Sequence, residues 1–244
     1  MDEQTFLESL AATYTTADSP QDAAIRSMAL RTFMPYFEPD SHALEMGCDS
    51  GYMTRLLAPQ FRSLTVVDGS SIFLDKARSH GIPNATFVQS LFEEFQSAQT
   101  YDHIFLSYVL EHVLDPRALL NKVRELLAPR GKVYIVVPNE RALSRQMARH
   151  MGLIDTLDAM TDNDRRHGHR RTYDRVKLDR DIAAAGLVSM HSGGLMLKPF
   201  ADFQMNAMHT HAILGAAQVE GLYQLGLEYP DLAGSLFSVC RAAA

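Results

Sequence analysis

Apolar positions recur along this chain in two rhythms. Short runs of aliphatic and β-branched residues at 43–46, 64–67, 85–88, 101–107 and 133–137 have the length of strands. Between them, the stretches 52–58, 71–79 and 116–127 carry apolar residues at three- and four-residue spacing, as helices do. Pro59, Gly81 with Pro83, and the Pro129-Arg130-Gly131 turn separate the segments. Pro116 opens its helix, where a missing N–H does no harm. Repeated strand-helix units of this kind predict an α/β protein with a mostly parallel sheet covered by helices on both faces.

Two amphipathic helices precede this core. One spans 3–16, with Phe6, Leu7 and Leu10 on one side, and one spans 22–36, with Ile25, Met28, Ala29, Phe33 and Met34 aligned. After Pro138-Asn139 the rhythm changes. Residues 140–172 are rich in Arg, Met, Asp and His and read as one or two helices with a polar loop, forming a cap. A helix at 174–185 stopped by Gly186, strand-like stretches at 187–190 and 195–197, a helix at 207–225 and a strand at 236–241 complete the chain. This divides one domain into lid helices (1–40), a core (41–138), a cap (139–175) and a C-terminal part of the sheet (176–244).

The stretch from Ala43 through Leu57 organises the rest. A strand ends at Glu45, a turn holds Gly47, Cys48, Asp49, Ser50 and Gly51, and a helix pattern opens behind it. Strand, tight turn and helix in this order present backbone N–H groups to a ligand. Glycines there let the backbone approach that ligand closely. A carboxylate at Glu45 suits an ammonium or an ordered water rather than a phosphate, and no phosphate-loop motif is present. Asp68 ends the second strand, where an acidic side chain either accepts from both ribose hydroxyls of a nucleoside or caps the next helix.

Composition narrows the partners. The chain has 244 residues, 46% of them apolar and 21% charged, as in soluble globular domains, and a formal net charge of -6. That balance argues against nucleic acid as partner. No apolar run is long enough for a bilayer, and the N-terminus is acidic, so the expected location is the cytoplasm. Two isolated cysteines suggest neither a disulfide framework nor a zinc site.

The motifs resemble those of class I S-adenosylmethionine-dependent methyltransferases, in the branch that acts on small molecules. Glu45 through Gly51 matches the family's acidic residue followed by a glycine turn, with Asp49 at the place of its central glycine. V-V-D at 66–68, F-V-Q-S-L-F-E-E-F at 87–95, Y-D-H-I-F-L-S-Y-V-L-E-H-V at 101–113 and L-L-A-P-R-G-K-V-Y-I-V-V-P-N at 126–139 follow in register. The resemblance covers about 41–197. It implies a Rossmann-like sheet with an antiparallel C-terminal strand, and S-adenosylmethionine as cofactor with S-adenosylhomocysteine as product. It implies cofactor contacts at Glu45, Gly47, Asp49, Gly51, Asp68, Gly69, Leu91, Phe92 and Ser107.

Three histidines are the candidate bases: His112, which reads equally as scaffold, and His167 and His169 in the G-H-x-R-x-Y stretch of the cap. Tyr14, Tyr108, Arg170 and Tyr173 are the candidate substrate contacts. The histidines of the cap have no third donor at ligand spacing, so no metal is expected. The expected activity is N- or O-methylation of a small molecule, a heterocyclic or glycosidic secondary metabolite, by a monomer or homodimer. The alternatives are a nicotinamide-dependent oxidoreductase, whose full glycine fingerprint is missing, and a non-catalytic S-adenosylmethionine-binding protein.

Overall fold

The computed structural model describes residues 2–13 and 19–243. Two helices lead, α1 (Glu3–Thr13) and α2 (Pro20–Phe33), the second capped by the Ser19 hydroxyl, which accepts from the Asp22 N–H. The core runs β1 (His42–Met46), α3 (Tyr52–Leu57), β2 (Ser63–Asp68), α4 (Ser71–Arg78), β3 (Ala85–Gln89), β4 (Tyr101–Ser107), α5 (Pro116–Leu126) and β5 (Leu127–Pro138). The cap contributes α6 (Leu143–His150) and α7 (Asp162–Arg166). Then come α8 (Arg175–Ala184), β6 (Leu187–Leu197), α9 (Asp202–Thr210), α10 (Ala216–Glu228) and β7 (Ala233–Ala242).

The sheet order is β3-β2-β1-β4-β5-β7-β6. β7 alone runs against the rest, antiparallel to both β5 and β6. The order reverses between β1 and β4, which opens a crevice at their carboxyl ends, the usual ligand position in such sheets. Side chains alternate between two cores. Val133, Ile135 and Val137 of β5 face α5 and α8, while Tyr134 and Val136 face α2, α3 and α10. On the second face Phe105 stacks on Tyr134 at 4.6 Å and Phe33 leans on Tyr134 at 5.0 Å.

The expected elements are present, with three corrections. The stretches at 187–190 and 195–197 are one strand. Its Gly193 and Gly194 do not break it: a Cβ on Gly193 would lie 2.8 Å from the Phe237 ring, and one on Gly194 would lie 2.4 Å from Ala233 Cβ. The single helix expected at 207–225 is two, α9 and α10, because Ala212 takes φ 54° and Gly215 caps the second. The Pro129-Arg130-Gly131 turn is instead part of β5, whose register against β4 shifts between Tyr101 and His103. Among the described residues no helix is long and apolar enough to cross a membrane.

Candidate active site

The turn after β1 has the backbone its sequence requires. Gly47, Asp49 and Gly51 all take positive φ, 85°, 47° and 82°. A Cβ on Gly47 would lie 2.9 Å from Val109 Cγ2, and one on Gly51 would lie 2.8 Å from the Ala77 backbone. Glycine is therefore needed at both for conformation and for space. Asp49 tolerates the left-handed region as few residues do. Its carboxylate meets the Arg26 guanidinium of α2 at 3.2 Å, a partner the sequence alone did not reveal.

Asp68 is a buried organiser of the same turn. Its Oδ2 accepts from the Cys48 N–H and its Oδ1 from the Ser70 N–H, both at 2.9 Å. Burial raises its pKa, while those two backbone donors act against the rise. Gly69 lies close under the lid, since a Cβ there would sit 2.5 Å from Leu7 of α1 and 3.3 Å from Leu91. The Phe92 ring lies 3.6 Å from where a Gly47 Cβ would be. Gly47 thus faces Phe92, and Gly69 faces Leu91 and Leu7.

Polar atoms without partners lie on the elements that flank the turn. The Glu45 carboxyl, Thr54 Oγ1 and Ser107 Oγ are buried and lack a well-formed hydrogen bond, the Thr54 hydroxyl standing close enough to Glu45 to favour its charged form. Orphaned groups of this kind are costly and rare, and they point to a ligand that completes them. Burial pushes the Glu45 carboxyl up to about 8, Thr54 opposes this, and the charges of Asp68 and Arg26 act up and down respectively. Near neutral pH the carboxyl is held protonated until a cation arrives.

The loop after β4 and the cap form the second wall. Glu111 is 1% exposed, and neither of its oxygens has a hydrogen-bond partner. Burial raises it to about 7, against the pull of His169 and Arg171. Burial and the His169 charge press His112 down to about 3. Burial therefore favours the neutral His112 ring and counts against it as a base, in line with a scaffold role. His169 crosses the His112 ring nearly at right angles, centroids 4.8 Å apart, with Nδ1 3.4 Å from Asp164. Burial alone would raise Asp164, but His169, Thr161 and Arg145 hold it well below the usual carboxylate range. His167 stands further out, its Nδ1 against the Asn163 carbonyl at 2.7 Å.

The expected substrate contacts are largely engaged within the protein. Tyr108, at φ 60°, bonds Ser235 Oγ through its hydroxyl at 2.8 Å. The Tyr173 hydroxyl donates to Asp181, deep beneath the cap. Arg170 donates Nε–H to the His112 carbonyl at 2.6 Å and pairs with both Glu3 oxygens at 2.9 Å. Tyr14 lies outside the described residues. α1 is thus clamped across the crevice at both ends, because Glu8 accepts from Ser70 Oγ at 2.8 Å and from the Ser71 N–H at 2.7 Å. Glu3, Glu8, Arg26 and Asp164 contact the candidate site residues, and the sequence pattern missed them. The only sequence signal was the pair Ser70-Ser71 opening a helix, which needs an acceptor.

A family model described as a methyltransferase domain matches residues 21–192. The chain belongs to the S-adenosylmethionine-dependent methyltransferases. It is 26% identical over 164 residues to the ubiquinone biosynthesis O-methyltransferase of Vibrio parahaemolyticus, covering 65% of this chain and 68% of that protein. It shares its fold with the S-adenosylhomocysteine complex of DhpI, at a TM-score of 0.63 and 18% identity over 99% of this chain and 95% of that one. It shares it equally with the N-methyltransferase NodS of Bradyrhizobium japonicum bound to S-adenosylhomocysteine, at a TM-score of 0.62 and 17% identity over 100% of both chains. The match sets the nicotinamide alternative aside. When bound, S-adenosylmethionine supplies an electrophilic methyl group on a sulfonium. The residues of this methyltransferase fit that cofactor, since the crevice holds an unpartnered acid for an ammonium, a glycine turn, a buried Asp at the end of β2 and an apolar wall at Leu91 and Phe92.

Proposed function

We propose that this methyltransferase transfers the methyl group of S-adenosylmethionine to a hydroxyl oxygen of a small molecule held between the crevice and the cap. The observation that carries this reading is that Glu45 on β1, Ser107 at the end of β4 and Glu111 in the loop after β4 are all buried with unpartnered polar atoms. Glu45 takes the ammonium of the methionine end, Arg26 its carboxylate, Asp68 the ribose, and Leu91 and Phe92 the adenine. Gly47 and Gly51 give the cofactor its close approach, and Asp49 acts through Arg26.

Glu45, Arg26 and Asp68 would hold the cofactor and offer its methyl group to an acceptor oxygen positioned between the crevice and the cap. The hydroxyl proton would leave by way of the Glu111 carboxyl and the His169 imidazole to solvent, with the neutral His112 ring bordering that route. Holding the two reactants in line supplies up to roughly 7–11 kcal/mol of the barrier reduction in well-oriented cases. A neutral amine would need no such proton outlet, and the buried acid-imidazole group in the loop after β4 therefore favours oxygen over nitrogen. The relatives named O-methyltransferases agree with that preference. A heterocyclic or glycosidic metabolite with a free hydroxyl is the substrate class we assign, consistent with a cap and a net charge of -6. The test incubates the protein with S-adenosylmethionine and a panel of phenols, sugar glycosides and amino-heterocycles. Mass spectrometry would show an added methyl on hydroxylated members, whereas transfer only to nitrogen would contradict the oxygen assignment.

A further inference from the structure

Spacing along the chain offers no metal site, because His167 and His169 have no third donor at ligand spacing. Folding supplies one. Glu111 and His112 come from the loop after β4 and His169 from the cap, and one donor atom of each lies within 4.8 Å of the others. Two further observations point to a ligand there. Glu111 is buried with both oxygens unpartnered, a costly arrangement unless a cation or a donor completes it. Asp164 stands behind His169, 3.4 Å from its Nδ1, and is itself fixed by Arg145 at 3.2 Å and by the Thr161 hydroxyl at 2.7 Å. A carboxylate behind an imidazole is the outer partner that orients a metal-binding ring and leaves Nε2 as the donor. A water-sized cavity of about 20 Å³ opens beside His169, between Asp164, Arg145 and Arg171.

We infer that Glu111, His112 and His169 bind one divalent transition-metal ion, of the class represented by Zn²⁺, in a three-ligand site with an open position. Two imidazoles and one carboxylate suit Zn²⁺ or Fe²⁺, whereas Mg²⁺ prefers oxygen ligands and keeps its waters. Bonds of about 2.1 Å bring tetrahedral donors to roughly 3.4 Å from one another, so the three side chains close inward around the ion. Binding stands on this cluster alone. Its consequence rests on the methyltransferase reading above: an acceptor hydroxyl in the open position would lose its proton more readily.

The experiment titrates chelator-treated protein with Zn²⁺ and, separately, with Mg²⁺ by calorimetry, and records the visible spectrum after adding Co²⁺. The expected result is one Zn²⁺ per chain, no Mg²⁺ heat at the same concentrations, and a cobalt absorption band. Glu111→Gln and His169→Ala each weaken Zn²⁺ binding at least tenfold, and Asp164→Asn weakens it by about tenfold through the ring it orients. S-adenosylhomocysteine is titrated into every variant, so a folded cofactor site is checked separately from metal binding. Absence of stoichiometric Zn²⁺ binding by the unaltered chain overturns the inference. So does wild-type affinity in Glu111→Gln or His169→Ala while S-adenosylhomocysteine still binds.

Discussion

At the scale of single residues, Asp49 is where this chain departs from the family's glycine turn. The structure explains why the position accepts a side chain: the backbone is left-handed, and the carboxylate has Arg26 to meet. The pair is partly exposed, 17% and 23% for the two side chains, so its net worth is about 0–1 kcal/mol. Asp49→Gly is therefore expected to change S-adenosylhomocysteine affinity by less than about fivefold. Arg26→Ala is expected to lower it by about tenfold, the loss of one charge-assisted hydrogen bond. Calorimetry on both variants checks this, and a tenfold loss in Asp49→Gly would give Asp49 a direct contact with the cofactor.

At the scale of elements, α1 acts as a strap. It is joined to the N-terminus of α4 through Glu8 and to the cap through Glu3 and Arg170. Glu8→Ala should lower the hydrogen-exchange protection of α1 by about tenfold, the worth of one or two hydrogen bonds to a charged group. Global stability in urea should change by no more than about 1 kcal/mol, because the core does not depend on that helix. Phe33→Ala, by contrast, removes a fully buried ring packed on Tyr134 and Phe237, and should cost about 3–5 kcal/mol in the same urea experiment.

These elements also mark what was legible in the sequence. The strands, their order of appearance and the turn at Glu45 were readable because apolar period and glycine placement are local signals. The partnership of Glu3 with Arg170, of Arg26 with Asp49, and of Glu111 with His169 was not. Each joins residues far apart in sequence through packing that no spacing rule encodes. Gly193 and Gly194 misled for the same reason, since what makes them necessary is Phe237 and Ala233 on the neighbouring strand.

At the scale of the whole molecule, the crevice between β1 and β4 gathers buried acids whose titration affects stability. Glu45 and Glu111 have folded values of about 8 and about 7, above the 4.5 of the unfolded chain. The native state therefore binds more protons than the unfolded state over this window, and stability falls as pH rises through it. His112, lowered to about 3 from 6.5, has the opposite sign, and its effect is confined to pH below about 6.5. Thermal denaturation of the ligand-free protein should thus show a melting temperature that declines between about pH 6.5 and 8, with a shallower decline in Glu45→Gln. A melting temperature that rises over that interval would contradict the burial of these acids.

The most direct test of the account joins these scales in one titration. S-adenosylhomocysteine is added to the ligand-free protein at pH 7 in two buffers of different ionisation enthalpy. One site per chain is expected, with close to one proton released, because the ammonium converts Glu45 to its carboxylate. In Glu45→Gln the proton release disappears, and affinity falls by at least about tenfold. Binding without proton release, or unchanged affinity in Glu45→Gln, would contradict Glu45 as the group that receives the methionine end of the cofactor.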